Sequence, residues 1–185
     1  AYSSKRILTL EYVEEVKISD PVGLKKALYD PEKIATHLVE ALVKQVYEYG
    51  FFHADPHPGN LAITEGEKII FYDFGQVGMI DRLTRDKAMD LLVGMMKYDV
   101  NAVARALLDI GIGTQTINQA EFRHEISRLQ QKYYGLPLSQ INIGEALSEL
   151  IDLSLYFRVR VPPELSLVVK MIMTIERIVS QLDPQ

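Results

Sequence analysis

Two short motifs constrain this chain more than any other feature: residues 53–60 read HADPHPGN, and residues 73–75 read DFG. The prolines and glycine of the first motif predict a loop, and the short apolar stretches between the motifs predict a β-hairpin. Asp55 can orient an attacking hydroxyl group, while Asn60 and Asp73 offer the amide and carboxylate oxygens that Mg²⁺ prefers. The three residues at this spacing therefore predict a magnesium-dependent phosphoryl-transfer site.

Each of these residues also has a purely structural interpretation. A lone Asp or Asn in a loop most often caps a turn, so the identities of Asp55 and Asn60 carry little information by themselves. Their spacing to each other and to Asp73 favours the functional interpretation. Gly75 would give the backbone the freedom that the turn after Asp73 requires.

The two histidines beside Asp55 have a different range of interpretations. His53 and His57 flank the aspartate, so the same segment could belong to a zinc or di-iron hydrolase. The other histidines, His37 and His124, lie in predicted helices without a ligand pattern around them. We favour a structural role for His53, which would anchor the loop by bonding backbone near the DFG turn. His57 could contact phosphate or substrate, or support the loop.

The composition limits the class of protein. A chain of 185 residues, 48% hydrophobic and 24% charged, suits one globular domain or one lobe of a larger one. The net charge of −5 gives no electrostatic footprint for nucleic acid. The absence of cysteine excludes disulfides and thiolate metal sites, and is compatible with a reducing compartment. The most apolar stretch, residues 165–175, is interrupted by Lys170 and is too short to span a bilayer.

The pattern of apolar and turn residues predicts a mainly α fold with a small β-hairpin, of the α+β class. Residues 6–13 are rich in β-branched and aromatic side chains and predict a strand. Asp30 and Pro31 predict the start of a helix that Gly50 ends. Further segments are predicted as hairpin strands at 61–63 and 68–72, and as helices at 83–98, 100–110, 121–133, 143–156 and after Pro162-Pro163.

Three segments of the chain resemble a known family, the UbiB-type atypical kinases of coenzyme Q and prenylquinone biosynthesis. LTLEYVEEVKISD resembles the hinge of that family, FFHADPHPGNL its catalytic loop and DFGQVG its metal-binding turn. The helical remainder agrees in general character, including the RVPPEL segment. The resemblance implies a protein-kinase-like C-terminal lobe over residues 1–185, with the N-terminal lobe absent. Its parts would be the hinge strand and crossover (1–20), a helix (31–50), the catalytic loop, hairpin and DFG turn (51–78) and a helical subdomain (82–185).

The same resemblance implies ATP and Mg²⁺ as cofactors and gives roles to individual residues. The residues so assigned are Asp55 as the catalytic Asp, Asn60 and Asp73 as Mg²⁺ ligands, Glu11 and Val13 as main-chain contacts of adenine, and Ala62 beneath the adenine ring. His53, His57 and Gly75 would support the loop. The family further implies a lipid or prenylquinone-precursor substrate, peripheral membrane association of the full-length protein, and a cytoplasmic, mitochondrial-matrix or plastid location.

Two departures from ordinary protein kinases bear on the substrate. Ala54 stands where those kinases have the Arg of HRD, and no APE motif follows the DFG. A helix is predicted to resume within about ten residues of Gly75, which leaves little room for a peptide-docking platform. These features favour a small-molecule or lipid-linked substrate, or plain ATPase activity, over a protein substrate.

Two alternatives stay open at this point. Aminoglycoside- and choline-kinase-like phosphotransferases also carry an HxDxHxxN loop, and a pseudokinase scaffold could bind nucleotide, or nothing, and act by docking partners. The intact Asp55, Asn60 and Asp73 favour an enzyme. A KxGQ segment upstream of residue 1 would favour the UbiB-like interpretation. Without an N-terminal lobe, we expect the isolated chain to be inactive.

Overall fold

The computed structural model describes residues 2–111 and 117–183, and the predicted domain limits at residues 1 and 185 lie outside these ranges. Its elements are mainly helices, with two small antiparallel sheets, which confirms the predicted mainly α, α+β fold class. No helix in the described ranges is long and apolar enough to cross a membrane.

Along the described residues, one short strand is followed by two helices, then by four more short strands, and finally by five helices. The strands are β1 (Val16–Lys17), β2 (Phe51–His53), β3 (Leu61–Thr64), β4 (Lys68–Phe71) and β5 (Val77–Met79). The helices are α1 (Pro21–Lys26), α2 (Pro31–Val43), α3 (Arg82–Met96), α4 (Val100–Ile110), α5 (Gln119–Tyr133), α6 (Ile143–Tyr156) and α7 (Pro163–Leu182). A π-helical segment covers Lys44–Tyr49, and 3₁₀ turns cover Pro58–Asn60 and Leu138–Gln140.

The helix predicted to start at Asp30 does so, because the Asp30 side chain accepts a hydrogen bond from the Glu32 N–H. Its last turns widen into the π-helical segment, which the sequence did not predict. Gly50 ends it in the left-handed conformation, with φ at 66°. The guanidinium of Arg85 in α3 donates to the Tyr47 and Glu48 carbonyls. Arg85 thus supplies donors to carbonyls at the end of the π-helical segment.

The predicted hairpin is confirmed as β3 and β4, and β1 adds to its other edge to give the order β1-β3-β4. The second sheet pairs β2 with β5, which places Phe52 opposite Gly78 and His53 opposite Val77. This pairing joins the strand before the loop to the strand after the DFG turn. The two motifs are therefore tied together by backbone hydrogen bonds.

The strand predicted over residues 6–13 is wrong: this segment forms no ladder hydrogen bonds, and the strand beside the hairpin is the shorter β1. Leu8 and Leu10 are exposed at 76% and 69%. Within the described ranges no strand lies beside the segment, and Thr9 N–H donates to the Ser3 hydroxyl instead. β-Branched residues favour a strand only where a pleated surface and a partner are present.

The five predicted C-terminal helices correspond to α3 to α7, while the short α1, capped by Asp20, was not predicted. α7 lies at the centre of the packing, because it contacts α2, α6 and β5. Its buried side chains are Leu165, Val168, Val169, Met171, Ile175 and Ile178. The helical region is therefore packed directly against the part of the chain that carries the loop.

Candidate active site

The loop that follows β2 is fixed by its own backbone. The Asp55 carbonyl accepts a hydrogen bond from the His57 N–H at 2.7 Å and from the Asn60 side-chain amide at 3.3 Å. The Asn60 N–H donates to the His57 carbonyl at 2.7 Å, which closes the 3₁₀ turn. The main chains of Asp55 and Asn60 are therefore held in one arrangement by hydrogen bonds inside the loop.

His53 connects this loop to the strand that leads to the DFG turn. Its Nδ1 accepts a hydrogen bond from the Asp55 N–H, at 3.2 Å, so that nitrogen carries no proton. The proton is then on Nε2, which donates to the Tyr72 carbonyl at 2.7 Å. The ring is 1% exposed, and both of its nitrogens are satisfied. His53 is thus a neutral side chain placed to anchor the loop, with no lone pair left for a metal.

Asp73 is brought next to Asn60 by a further backbone bond. The Tyr72 N–H donates to the Asn60 carbonyl at 2.8 Å, so the residue before Asp73 is bonded to Asn60 itself. Asp73 adopts a left-handed conformation, with φ at 50°, and its Oδ1 accepts from the Gly75 N–H at 3.1 Å. Hydrogen bonds therefore link Asp55 to Asn60 and Asn60 to Tyr72, the residue before Asp73.

The backbone freedom predicted for Gly75 lies at a different residue. The left-handed residue of this turn is Asp73, whereas Gly75 has no positive φ. A Cβ at Gly75 would lie 2.9 Å from Asp73 Oδ1. Gly75 is thus suited to this position because its N–H must approach the Asp73 carboxylate closely. The prediction that Gly75 supplies the backbone freedom of this turn was therefore wrong. Asp73 takes the left-handed conformation instead, and its own side chain stabilises the turn by accepting from the Gly75 N–H.

The donor set around the turn suits a magnesium ion shared with a ligand. Asn60 Oδ1 and Asp73 Oδ2 accept no hydrogen bond from the described residues. Among those residues, no group of three His, Asp or Glu side chains could hold a metal. Mg²⁺ is commonly bound by one or two carboxylates together with phosphate and water oxygens. The donor chemistry of Asn60 and Asp73 therefore fits Mg²⁺, and an ion shared by both side chains and a phosphate ligand stays a prediction.

The Asp55 carboxylate has a partner that the sequence analysis did not assign. Lys170 of α7 places its Nζ 3.6 Å from Asp55 Oδ1, and the side chains are 55% and 44% exposed, respectively. The signal in the sequence was a single charge inside the apolar stretch 165–175. Nothing local could connect that charge to the loop, because the two residues lie far apart in the chain.

The residues that follow the expected adenine-binding positions, Glu11 and Val13, are attached to the hairpin. The Thr64 hydroxyl donates to the Glu14 carbonyl at 2.9 Å, and Lys17 Nζ lies 4.2 Å from the centre of the Tyr72 ring. In the part of the chain that the structure describes, the main chains of Glu11 and Val13 make no hydrogen bond.

Two of the expected site residues lie less favourably for a ligand. Ala62 is fully buried in β3, so an adenine contact there stays a prediction that this arrangement does not favour. His57 is exposed, and its Nδ1 accepts from the Gly59 N–H, which makes it part of the loop's turn. A contact between His57 and phosphate or substrate also stays a prediction.

Two family models match most of the chain. Residues 1–107 match the family model of the ABC1 atypical kinase-like domain, and residues 126–185 match that of the UbiB helical domain. The boundary between the two models falls before α6 and α7, so Asp55 and Lys170 belong to different matched regions. No solved structure matches the chain.

Several curated proteins are similar along the whole chain. Protein ACTIVITY OF BC1 COMPLEX KINASE 7, chloroplastic, from Arabidopsis thaliana is 35% identical over 100% of this chain and 27% of its own length. Uncharacterised proteins from Synechocystis and Clostridium pasteurianum are 33% and 30% identical over 99% and 98% of this chain, and 32% and 34% of their own lengths. The chain thus spans between a quarter and about a third of these relatives. Together with the two family models, they confirm the resemblance: this chain belongs to the ABC1/UbiB family of atypical kinase-like proteins.

Proposed function

We propose that this chain supplies the C-terminal lobe of an atypical kinase or ATPase that uses Mg-ATP and supports the biosynthesis of ubiquinone or another prenylquinone. The observation that carries the proposal is the hydrogen-bonded path from Asp55 through Asn60 to Tyr72, next to Asp73. That path supports the proposal because it connects the main chains that carry the candidate base and the candidate metal ligands, and phosphoryl transfer depends mainly on positioning.

In this proposal Asp55 orients the attacking hydroxyl group or water and accepts its proton. The bond from that oxygen to the γ-phosphorus forms as the bond from the γ-phosphorus to the bridging oxygen of the leaving diphosphate breaks. Asn60 and Asp73 hold Mg²⁺, which when bound neutralises charge on the phosphate oxygens. Backbone hydrogen bonds hold the main chain of Asn60 in the loop and reach Tyr72, next to Asp73, which supports this assignment.

The exposed hinge segment supplies the base-binding part of the proposal. Glu11 is exposed and Val13 is half-buried, and their main-chain donors and acceptors are free among the described residues. Such groups can pair with the edge of an adenine ring, as in the hinge of other kinases. Ala62 would have to gain exposed surface before it could lie beneath that ring.

An apolar cavity supports a lipid-like ligand or substrate. Mainly aliphatic side chains of α2, α3, α4, α6 and α7 line a partly open cavity of about 410 Å³, with Leu92 and Val168 in its wall. Sites that bind apolar ligands have this kind of lining. A short prenylphenol should raise the melting temperature of the full-length protein, and Leu92→Phe should reduce that shift by filling the cavity. An equal shift in both proteins would show that the prenylphenol does not bind in this cavity.

The location remains part of the proposal. The Arabidopsis relative is named as a chloroplastic protein. For the present protein we propose a cytoplasmic or organellar location with peripheral membrane association. Flotation of the full-length protein with liposomes would test the membrane part, and a protein that stays unbound at low salt would contradict it.

Two substitutions in the full-length protein test the core of the proposal. Asp73→Asn should remove most Mg²⁺-dependent nucleotide binding, because it deletes a charged oxygen that would bridge the metal and the phosphates. Asp55→Asn should leave binding nearly intact and slow turnover by about 10²–10⁴-fold, the usual contribution of a general base. Calorimetry and a phosphate-release assay measure the two effects. Nucleotide binding that is insensitive to Asp73→Asn would favour a scaffold over an enzyme.

A further inference from the structure

We propose that Lys170 is a positioning residue for Asp55, so that α7 of the helical region completes the site in the loop. This inference rests on the proposed function, in which Asp55 orients the attacking oxygen. Lys170 Nζ lies 3.6 Å from Asp55 Oδ1. Among residues 2–111 and 117–183, no other Lys or Arg forms an ion pair with Asp55 or Asp73.

The contact matters because the rest of Asp55 is already fixed, while its carboxylate is not. The main-chain N–H of Asp55 donates to His53, and its carbonyl accepts from His57 and Asn60. Within the described residues the carboxylate itself accepts no hydrogen bond, and its one charged partner is Lys170. Lys170 is therefore the group that sets the direction of the carboxylate.

The distance leaves the carboxylate available for chemistry. At 3.6 Å the pair attracts without a close hydrogen bond, so the oxygens keep their lone pairs for an acceptor hydroxyl. A compact, three-donor ammonium on a flexible stem can also follow small movements of the carboxylate.

The Lys170 ammonium belongs to a helix that packing and hydrogen bonds hold in place. Val169 and Met171, on either side of Lys170, are 8% and 2% exposed. The Glu176 carboxylate of the same helix accepts from the N–H groups of Ile143 and Gly144 at the start of α6. The backbone at Lys170 is thus held by packing and by these bonds, and the charge projects towards the loop.

An ordinary surface ion pair is the alternative explanation. Both side chains are about half exposed, and pairs of this kind usually contribute little to stability. The two explanations predict different results. A surface pair changes neither turnover nor stability, whereas a positioning residue lowers kcat and leaves stability unchanged.

Turnover of Mg-ATP by the full-length protein, with water as the acceptor, tests the inference. Lys170→Met should lower kcat about tenfold and leave KM for ATP within about twofold, a smaller loss than removal of a direct transition-state donor. Lys170→Arg should recover most of the activity, since it restores the charge. Arg177→Met is the matched control: Arg177 is exposed on the same helix and forms no ion pair among the described residues, so kcat should not change.

A double substitution shows whether Lys170 acts through Asp55. In an Asp55→Asn background, Lys170→Met should not lower the residual kcat further, because the group that it positions is already neutral. A further tenfold loss would overturn the inference and assign Lys170 to a direct phosphate contact. Urea denaturation checks folding, and Lys170→Gln replaces Lys170→Met if the latter does not fold.

The remaining outcomes separate this inference from the proposed function. Wild-type kcat in Lys170→Met, together with a large loss in Asp55→Asn, would overturn the role of Lys170 alone. Equal losses of kcat in Lys170→Met, Lys170→Arg and Arg177→Met would indicate a general structural effect of α7, and would also overturn the positioning role of Lys170. Turnover that does not depend on Asp55 would overturn the proposed function and this inference with it.

Discussion

His53 Nε2 donates a 2.7 Å hydrogen bond to the Tyr72 carbonyl, and through it the loop before Asn60 is fastened to the strand before Asp73. The same ring accepts from the Asp55 N–H on its other side. One buried imidazole therefore bridges the main chain of the candidate base, Asp55, and the main chain of Tyr72, next to the candidate metal ligand Asp73. Its role is to fix geometry, since both nitrogens are occupied by backbone groups.

Replacing His53 should therefore be costly. His53→Leu removes both bonds and leaves the part-buried Tyr72 carbonyl and Asp55 N–H without this partner, at a cost of up to about 1–3 kcal/mol for each group. The free energy of unfolding from urea denaturation measures this loss. His57→Leu is the control: His57 is exposed and its side chain accepts only from the Gly59 N–H, so we expect a change of less than about 1 kcal/mol. Equal losses in the two variants would contradict the anchoring role.

Gly78 should tolerate no larger side chain, because it lies opposite Phe52 in the β2–β5 pair. A Cβ at Gly78 would come within 2.2 Å of Phe52 Cζ, and Phe52 is fully buried. Gly78→Ala should destabilise the protein by about 1–3 kcal/mol through overpacking. Adding Phe52→Leu should recover part of that loss, because it removes the ring that the methyl group meets. If the double variant is less stable than the sum of the single effects predicts, this steric explanation is wrong.

Asp81, which caps α3, should make stability depend on pH. The Thr84 hydroxyl and N–H donate to its carboxylate at 2.7 and 3.0 Å, and these bonds lower the pKa of Asp81 below its ordinary value of 3.8. A folded-state pKa below the unfolded value means that the stabilisation is present above pH 3.8 and is lost as the pH falls through the folded pKa.

The expected result is a flatter pH profile in variants that lack this carboxylate or its main donor. Asp81→Asn keeps a capping side chain but cannot titrate, and Thr84→Val removes the larger cause of the shift. Melting temperatures between pH 6 and pH 2 measure the profile. Thr36→Val is the control, because the Thr36 hydroxyl donates to a main-chain carbonyl and not to a carboxylate. A slope in Asp81→Asn as steep as in the wild type would refute the assignment.

The sequence predicted what depends on local rules and missed what depends on distant partners. The start of α2 at Asp30 and of α4 after Asp99 follow from capping, which involves only neighbouring residues. The β2–β5 pair and the π-helical segment, whose terminal carbonyls bind Arg85, need groups from elsewhere in the chain. The segment 6–13 failed for the same reason, because its composition favours a strand but no strand lies beside it in the described ranges.

The candidate site shows the same division between local and distant effects. The spacing of Asp55, Asn60 and Asp73 predicted a phosphoryl-transfer site, and hydrogen bonds connect Asp55 to Asn60 and Asn60 to Tyr72, the residue before Asp73. The contact between Asp55 and Lys170 could not be predicted, because it joins a loop to a helix through tertiary packing alone.

The isolated 185-residue chain should bind Mg-ATP weakly and should show no turnover above background. Asp73 is exposed, and the Asp55 side chain is 44% exposed, so water reaches the groups that would face the phosphates. Water screens charges that should stabilise the transferring phosphoryl group, and the preorganisation that drives catalysis is then lost. The chain spans only about a third or less of its relatives, so donors on the far side of the phosphates would come from the rest of the protein. A phosphate-release assay on the isolated chain, with Asp73→Asn as its control, measures this. Activity that depends on Asp73 in this chain alone would show that residues 1–185 already form a complete site.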